Sequence, residues 1–130
     1  MKNIYSNIYT FNKKTLKKTI KYLIHNNIVG LPTETVYGLA GNAYSIKAVK
    51  KIFRLKSRPK RNPLIVHYRN KEIAKRDVIF NENFYKLYRK YCPGPITFIL
   101  NKKDSSKFSA LATANLNTVA VRFPSHKIMR

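Results

Sequence analysis

Cysteine, acidic residues and long apolar runs are all scarce in this chain, and each scarcity removes a class of protein. A single cysteine, Cys92, in 130 residues forbids an intramolecular disulfide and leaves too few thiols for a cysteine metal cage. The uninterrupted apolar runs are only a few residues long, far short of the roughly 20 that a transmembrane helix needs. The opening segment, MKNIYSNIYTF, lacks the apolar core and small-residue cleavage site of a secretory signal, so a cytoplasmic location is expected. With 4 Gly in all, there is no Walker-type phosphate loop and no GxGxxG. The 5 acids are Glu34, Glu72, Asp77, Glu82 and Asp104, and no two form an obvious glycosidase or two-metal pair. His25, His67 and His126 show no zinc spacing, so no protein-held metal is expected. Cys92, beside Pro93-Gly94-Pro95, reads as a packed small hydrophobe, which disfavours covalent catalysis.

What the chain does hold is positive charge. Lys and Arg number 27 against 5 acids, a formal net charge of +22. Such a surplus suits a polyanion, either RNA or the phosphates of a nucleotide. A compositional cause competes with it. Lys, Asn, Ile, Tyr and Phe make up nearly half of the chain, as A/T-rich coding favours, and Lys13-Lys14, Lys17-Lys18 and Lys50-Lys51 recur as on a solvated helix face.

The size is that of one domain with one modest core. Lys13 to His25 reads as an amphipathic helix, capped by Asn12, with Leu16, Ile20, Leu23 and Ile24 on one face and Asn26-Asn27 ending it. Ile28 to Leu31 reads as a buried strand, and Pro32 to Gly41 as a loop carrying Thr33, Glu34, Thr35 and Tyr37. Ser45 caps a second helix whose Ala48, Val49, Ile52 and Phe53 face inward, and Pro59 and Pro63 stop its pattern. Leu64 to Tyr68 is a further strand. A helix starts near Asn81 or Asn83, marked by Phe84, Leu87, Tyr88 and Tyr91. After the Cys92-Pro93-Gly94-Pro95 turn, Ile96 to Leu100 and Thr118 to Phe123 are strands. Helices alternating with short β-rich runs indicate an α/β or α+β sandwich around a twisted sheet. All four strands are expected in that one sheet.

Two features single out candidate site residues. Lys56 and Arg58 sit in a proline-flanked loop after a helix, placed to hold a phosphate, although a basic helix end also complements the helix dipole. Arg122 lies mid-strand among apolar residues, where a guanidinium needs a carboxylate or phosphate partner. His67, at a strand end, reads on its own as a core histidine with satisfied hydrogen bonds.

Five blocks recur in order: Leu31-Pro32-Thr33-Glu34-Thr35-Val36-Tyr37-Gly38-Leu39, Lys56-Ser57-Arg58-Pro59, Asn62-Pro63-Leu64-Ile65-Val66-His67, Pro93-Gly94-Pro95-Ile96-Thr97 and Thr118-Val119-Ala120-Val121-Arg122-Phe123-Pro124. Together they resemble the YrdC-type family, the threonylcarbamoyl-adenylate synthases. The resemblance implies a YrdC-like α/β (α+β) fold, a twisted mixed open sheet with flanking helices. It implies the reaction of L-threonine, bicarbonate and ATP to threonylcarbamoyl-AMP and pyrophosphate, with Mg²⁺ accompanying the nucleotide. The product would pass to a downstream threonylcarbamoyl-transferase complex that modifies the adenosine beside the tRNA anticodon. By the same resemblance Thr35, His67 and Arg122 line the threonine side, Arg58, Asn62 and Thr118 contact ATP, and Lys56 and Arg58 are the catalytic cations at the phosphates. The chemistry agrees in type. A carbamate oxygen attacks the α-phosphorus, so cations that hold two anions together matter more than a nucleophile.

The family carries a Ser-Ala-Asn-type segment after the Arg-Phe-Pro-Ser-His block, and Ala114-Asn115 does not stand in its place. Residues 1–130 are therefore expected to form a single YrdC-like domain missing its C-terminal portion, inactive as it stands, with Val119, Val121 and Phe123 left uncovered. Two other readings remain. One is a non-catalytic module of the same fold that binds double-stranded RNA or tRNA through phosphates and shape. The other is a carbamoyl-adenylate-forming relative within a hydrogenase-maturation protein, which the missing zinc-finger cysteines disfavour.

Overall fold

The computed structural model describes residues 7–130. Helix α1 (Lys13–Ile24) starts in a reciprocal cap. Thr15 N–H donates to the Asn12 side chain at 3.0 Å, and Asn12 N–H donates to Thr15 Oγ1 at 2.9 Å. It ends where Asn26 turns left-handed (φ 60°) and the Asn26 and Asn27 amides donate back to Leu23 and Tyr22 carbonyls. No α1 residue is buried, and Leu16, Ile20 and Ile24 stay exposed.

Strand β1 (Val29–Pro32) pairs antiparallel with β2 (Tyr37–Ala40), Val29 opposite Ala40 and Pro32 opposite Tyr37. The stretch Pro32 to Gly41 is thus a hairpin and not a loop. Its second strand lacks a clear apolar alternation because it is only half covered. The turn 33–36 is held by Thr33, whose Oγ1 donates to the Val36 carbonyl at 2.6 Å and accepts from the Thr35 and Val36 amides at 3.2 Å. The hairpin is its own two-stranded sheet, which overturns the placement of residues 28–31 with the other strands.

Helix α2 (Ile46–Leu55) is capped by Ser45 and buries Ala48, Val49, Ile52 and Phe53. It stops before its prolines act. Ser57 adopts φ 46°, its amide donates to the Arg54 carbonyl, and the Arg58 amide donates to that of Phe53. This is a Schellman ending with serine where glycine is usual.

The main sheet holds β3 (Ile65–His67), β4 (Val78–Ile79), β5 (Thr97–Lys102) and β6 (Thr118–Arg122) in the order β3-β6-β5-β4. β3 runs parallel to β6, and the other two pairings are antiparallel, so the sheet is mixed as expected. The short helix α3 (Lys71–Ala74) and the two-residue β4 escape a sequence reading because neither is long enough to show a period. Helix α4 (Glu82–Tyr91) is capped by Asn81.

Val66, Val121 and Phe98 stand in one row across the sheet and face the core with Leu100 and Val119. α4 covers this face. Phe84 packs against Phe98 at 4.9 Å and Tyr88 against Phe123 at 5.0 Å between ring centroids. Val119, Val121 and Phe123 are therefore 2 %, 0 % and 0 % exposed, contrary to the expectation that they stand uncovered. Gly94 locks the turn between α4 and β5. Its amide donates to the Phe123 carbonyl at 2.8 Å, and a Cβ there would fall 2.5 Å from the Tyr91 carbonyl oxygen.

Asp77, buried beside this core, ties four segments together. Oδ2 accepts from Tyr44 at 2.5 Å, Tyr68 at 2.6 Å and Arg76 Nε at 3.1 Å, and Oδ1 accepts from Ser106 at 3.3 Å. No helix among the described residues is long and apolar enough to cross a membrane.

Candidate functional site

A strand presents alternate residues to opposite faces, so the face away from the core is fixed by the same register. Across it run His67, Arg122 and Thr97, each the Cα partner of the next. One level below lie Ile65, Ala120 and Ile99, and below them Thr118 opposite Asn101. Ala120 makes a small-residue floor between polar rows. Thr118 and Arg122, four residues apart on one strand, are separated by about 13 Å.

Arg122 meets a hydroxyl where a carboxylate or phosphate was expected. Its Nε and Nη2 both donate to Thr97 Oγ1, at 3.0 and 2.8 Å. That fork fixes the guanidinium plane and uses two of its five N–H groups. Thr97 carries no sign of this role in the sequence, because only strand pairing brings it opposite Arg122.

His67 is mostly buried, yet Nε2 has no hydrogen-bond partner, which corrects the reading of a satisfied core histidine. Burial lowers its pKa first and the neighbouring Arg122 charge lowers it further, while Glu34 and the Ile65 backbone oppose them more weakly. The imidazole is neutral at pH 7.

The hairpin turn reaches this row from the other sheet. Glu34 Oε1 accepts from the Ser125 amide, from Ser125 Oγ at 3.2 Å and from the His126 amide at 3.4 Å, across 91 residues of sequence. Thr35, next along the turn, is thereby held beside the end of β6, its Oγ1 3.3 Å from that of Thr33. The structure thus gathers the turn carrying Thr35 with His67 and Arg122 at one end of the sheet.

The nucleotide-side candidates lie at the other end. Continuing the parallel register back from Ile65 brings Pro63 level with Thr118. Arg58 is turned onto this loop, with Nε donating to the Asn62 carbonyl at 3.1 Å and Nη2 to that of Pro63 at 2.8 Å. Asn62 is exposed, and Lys56 is the exposed C-cap of α2. The left-handed Ser57 between the two cations costs on the order of 1 kcal/mol and turns the chain sharply between them. Two open concavities between α2 and residues 110–115 share Lys50, Arg54 and Lys60. Arg58 lines one of them, and Thr35, His67 and Arg122 line neither.

Among the described residues no cluster of three or more His, Cys, Asp or Glu could hold a metal ion. Glu34 already spends one oxygen on the protein's own donors. Burial pushes the Cys92 thiol up to about 11, which keeps it protonated and unreactive at pH 7.

The structure is thus an α/β domain in which an arginine forked onto Thr97 lies opposite a neutral histidine across the sheet, with Lys56 and Arg58 flanking a left-handed serine. The Sua5/YciO/YrdC family model, described as "Telomere recombination", matches residues 21–130, and the chain belongs to that family. It is 40 % identical over 110 residues to the threonylcarbamoyl-AMP synthase of Pyrococcus abyssi, covering 82 % of this chain and 31 % of that protein. To the Bacillus subtilis threonylcarbamoyl-AMP synthase it is 39 % identical over 120 residues, covering 90 % of this chain and 34 % of the relative. The crystal structure of P. abyssi Sua5 complexed with L-threonine superposes with a TM-score of 0.85 at 35 % identity, over 93 % of this chain and 35 % of that one. The chain thus spans about a third of the length of these relatives.

Proposed function

We propose that this chain carries the amino-acid and nucleotide sites of an L-threonylcarbamoyl-adenylate synthase. The observation that carries the reading is the row His67–Arg122–Thr97, with the Thr35 turn docked at its end, in a chain 40 % identical to a synthase of that name.

Arg122 takes the carboxylate of L-threonine, and the hydroxyl of Thr35 and the free Nε2 of His67 read its polar groups. The α-amine of threonine attacks the carbon of bicarbonate. The α-ammonium has first lost its proton to solvent; on attack water leaves, and a carbamate remains. A carbamate oxygen then attacks the α-phosphorus of ATP, and the bond to pyrophosphate breaks. Arg58, Asn62 and Thr118 hold the nucleotide about 13 Å along the strand from Arg122. Lys56 and Arg58 neutralise charge as pyrophosphate departs. No covalent protein intermediate is needed, so the inert Cys92 is no obstacle. Mg²⁺ comes to the reaction on the phosphates of ATP. Bicarbonate is the one-carbon donor, the reaction is cytoplasmic, and the product passes to a threonylcarbamoyl transferase acting on tRNA.

Calorimetric titration of the chain with L-threonine and with ATP, followed by an assay of threonine-dependent pyrophosphate release, tests this. Saturable threonine binding that Arg122→Ala abolishes is the expected result. Threonine binding untouched by Arg122→Ala, or the absence of binding by either ligand, refutes it.

A further inference from the structure

Glu34 is left over from the mechanism above, and its surroundings are unusual. The carboxylate is split between two tasks. Oε1 accepts three hydrogen bonds from Ser125 and His126, which latch the hairpin turn to the exit of β6. Oε2 is buried and has no partner. A buried carboxylate oxygen left unpaired carries a desolvation cost of kcal/mol size, and such an atom calls for a partner. His67 Nε2 is the other unpaired atom of this corner. The two side chains are close enough that the Glu34 charge acts on His67, against that of Arg122.

The charges in this corner are therefore ordered. Arg122 is positive, His67 is neutral, and Glu34 is negative with one oxygen free. Burial acts to raise the Glu34 pKa, but its backbone and the Ser125 and His126 donors outweigh it, so the carboxyl ionises below its ordinary range. A group so poor as a base does not take a proton from an ammonium, but it holds one well. An α-amino acid in its zwitterionic form presents a carboxylate and an ammonium on one α-carbon, the complement of a guanidinium on β6 and a carboxylate on the turn latched to the exit of β6.

We propose that Glu34 is a substrate-binding and specificity residue: its free Oε2 accepts the α-ammonium of the amino acid whose carboxylate lies on Arg122, while Oε1 holds the turn in place. The assignment rests on the amino-acid reading of this site given above. It makes the site selective for amino acids over their deaminated counterparts, because without the ammonium Oε2 stays buried and unpaired. It also leaves the amine anchored until its proton is lost to solvent and carboxylation begins.

The test uses two ligands that differ only in the amine, L-threonine and (R)-3-hydroxybutyrate, titrated into the whole chain and into Glu34→Gln. Glutamine keeps an oxygen for the Ser125 and His126 donors, and hydrogen exchange at those two amides reports whether the latch survives. The chain should bind L-threonine at least about tenfold more tightly than the deaminated acid, as expected when a site's charge-assisted partner is withheld. Glu34→Gln, with both amides still protected, should lose that preference by weakening threonine alone. Three outcomes overturn the assignment: equal affinity of the unmodified chain for both ligands, which needs no variant; an unchanged preference in Glu34→Gln; or equal loss of both ligands, which leaves Glu34 as a latch only. Failure of the unmodified chain to bind either ligand is a separate result, because it removes the amino-acid reading of the site itself.

Discussion

Thr97→Val isolates the orientation of Arg122 from its charge. Valine has nearly the shape of threonine and suits a strand as well, so the backbone and the core row behind it are undisturbed. What disappears is the single oxygen that accepts both Nε and Nη2 of Arg122, at 3.0 and 2.8 Å. A hydrogen bond to a charged group contributes about 1.5–3 kcal/mol. The half-exposed guanidinium recovers part of that from water, so the net loss of stability should be about 1–2 kcal/mol. For a domain of this size that lowers Tm by about 4–7 °C. The effect on function is separate. An arginine free to rotate must be ordered by the incoming carboxylate, and an ordering cost of about 1.4 kcal/mol raises the Kd for L-threonine tenfold. The nucleotide site, about 13 Å away along β6, should not respond. Calorimetry with threonine and with ATP on the same preparation, alongside a thermal melt, gives all three numbers. Threonine affinity within twofold of the unmodified chain would refute the orienting role of Thr97. An equal loss for ATP would show that the change is general softening of the sheet.

Asp77→Ala should destabilise the fold by about 3–5 kcal/mol, because it removes the oxygen that accepts from Tyr44, Tyr68 and Arg76 and leaves those donors unpaired; a urea midpoint close to that of the unmodified chain would show the network to be dispensable. Stability should fall over two pH windows on acidification. Burial acts against Asp77 ionisation, yet Tyr44, Tyr68 and Arg76 hold its pKa below the usual value, so its contribution is complete above about pH 4 and is lost as pH falls through the lowered value. His67, held neutral by burial and Arg122, contributes above about pH 6.5 and loses that contribution on acidification below it. Urea midpoints that stay level from pH 7 to pH 3 would contradict both. Lys56→Ala should cost about 0.5 kcal/mol or less, whereas Arg58→Ala should cost about 1–2 kcal/mol because it strips donors from the Asn62 and Pro63 carbonyls; equal melts for the two variants would show that the Arg58 contacts hold nothing. Ser57→Gly should raise stability by about 0.5 kcal/mol by relieving the left-handed φ of 46°, and a lower Tm would mean that the serine side chain earns its place there.

Much of this protein is local and therefore legible in its sequence. Asn12, Ser45 and Asn81 cap helices because a short side-chain acceptor satisfies an orphan amide three residues on, a relation contained in four residues. The runs around Val66, Phe98 and Val121 show as strands because burial selects apolar β-formers at every second position. The five motif blocks are contiguous, so the family they resemble is visible without any structure. Other features depend on which distant segments meet. Among the described residues β2 pairs only with β1 and buries no side chain fully, so its Tyr37-Gly38-Leu39-Ala40 shows no buried apolar face to read, and the hairpin stands apart from the main sheet. The register that sets His67 beside Arg122, and Arg122 beside Thr97, is a choice among pairings that differ by single residues. It is made by packing the core row behind it. Glu34 stands in the middle of a motif block, but its role as a latch needs Ser125 and His126, which lie 91 and 92 residues away in the chain. Residue types and caps are written along the chain, whereas the site is made by loop closure and strand register, and these exist only once the chain has folded.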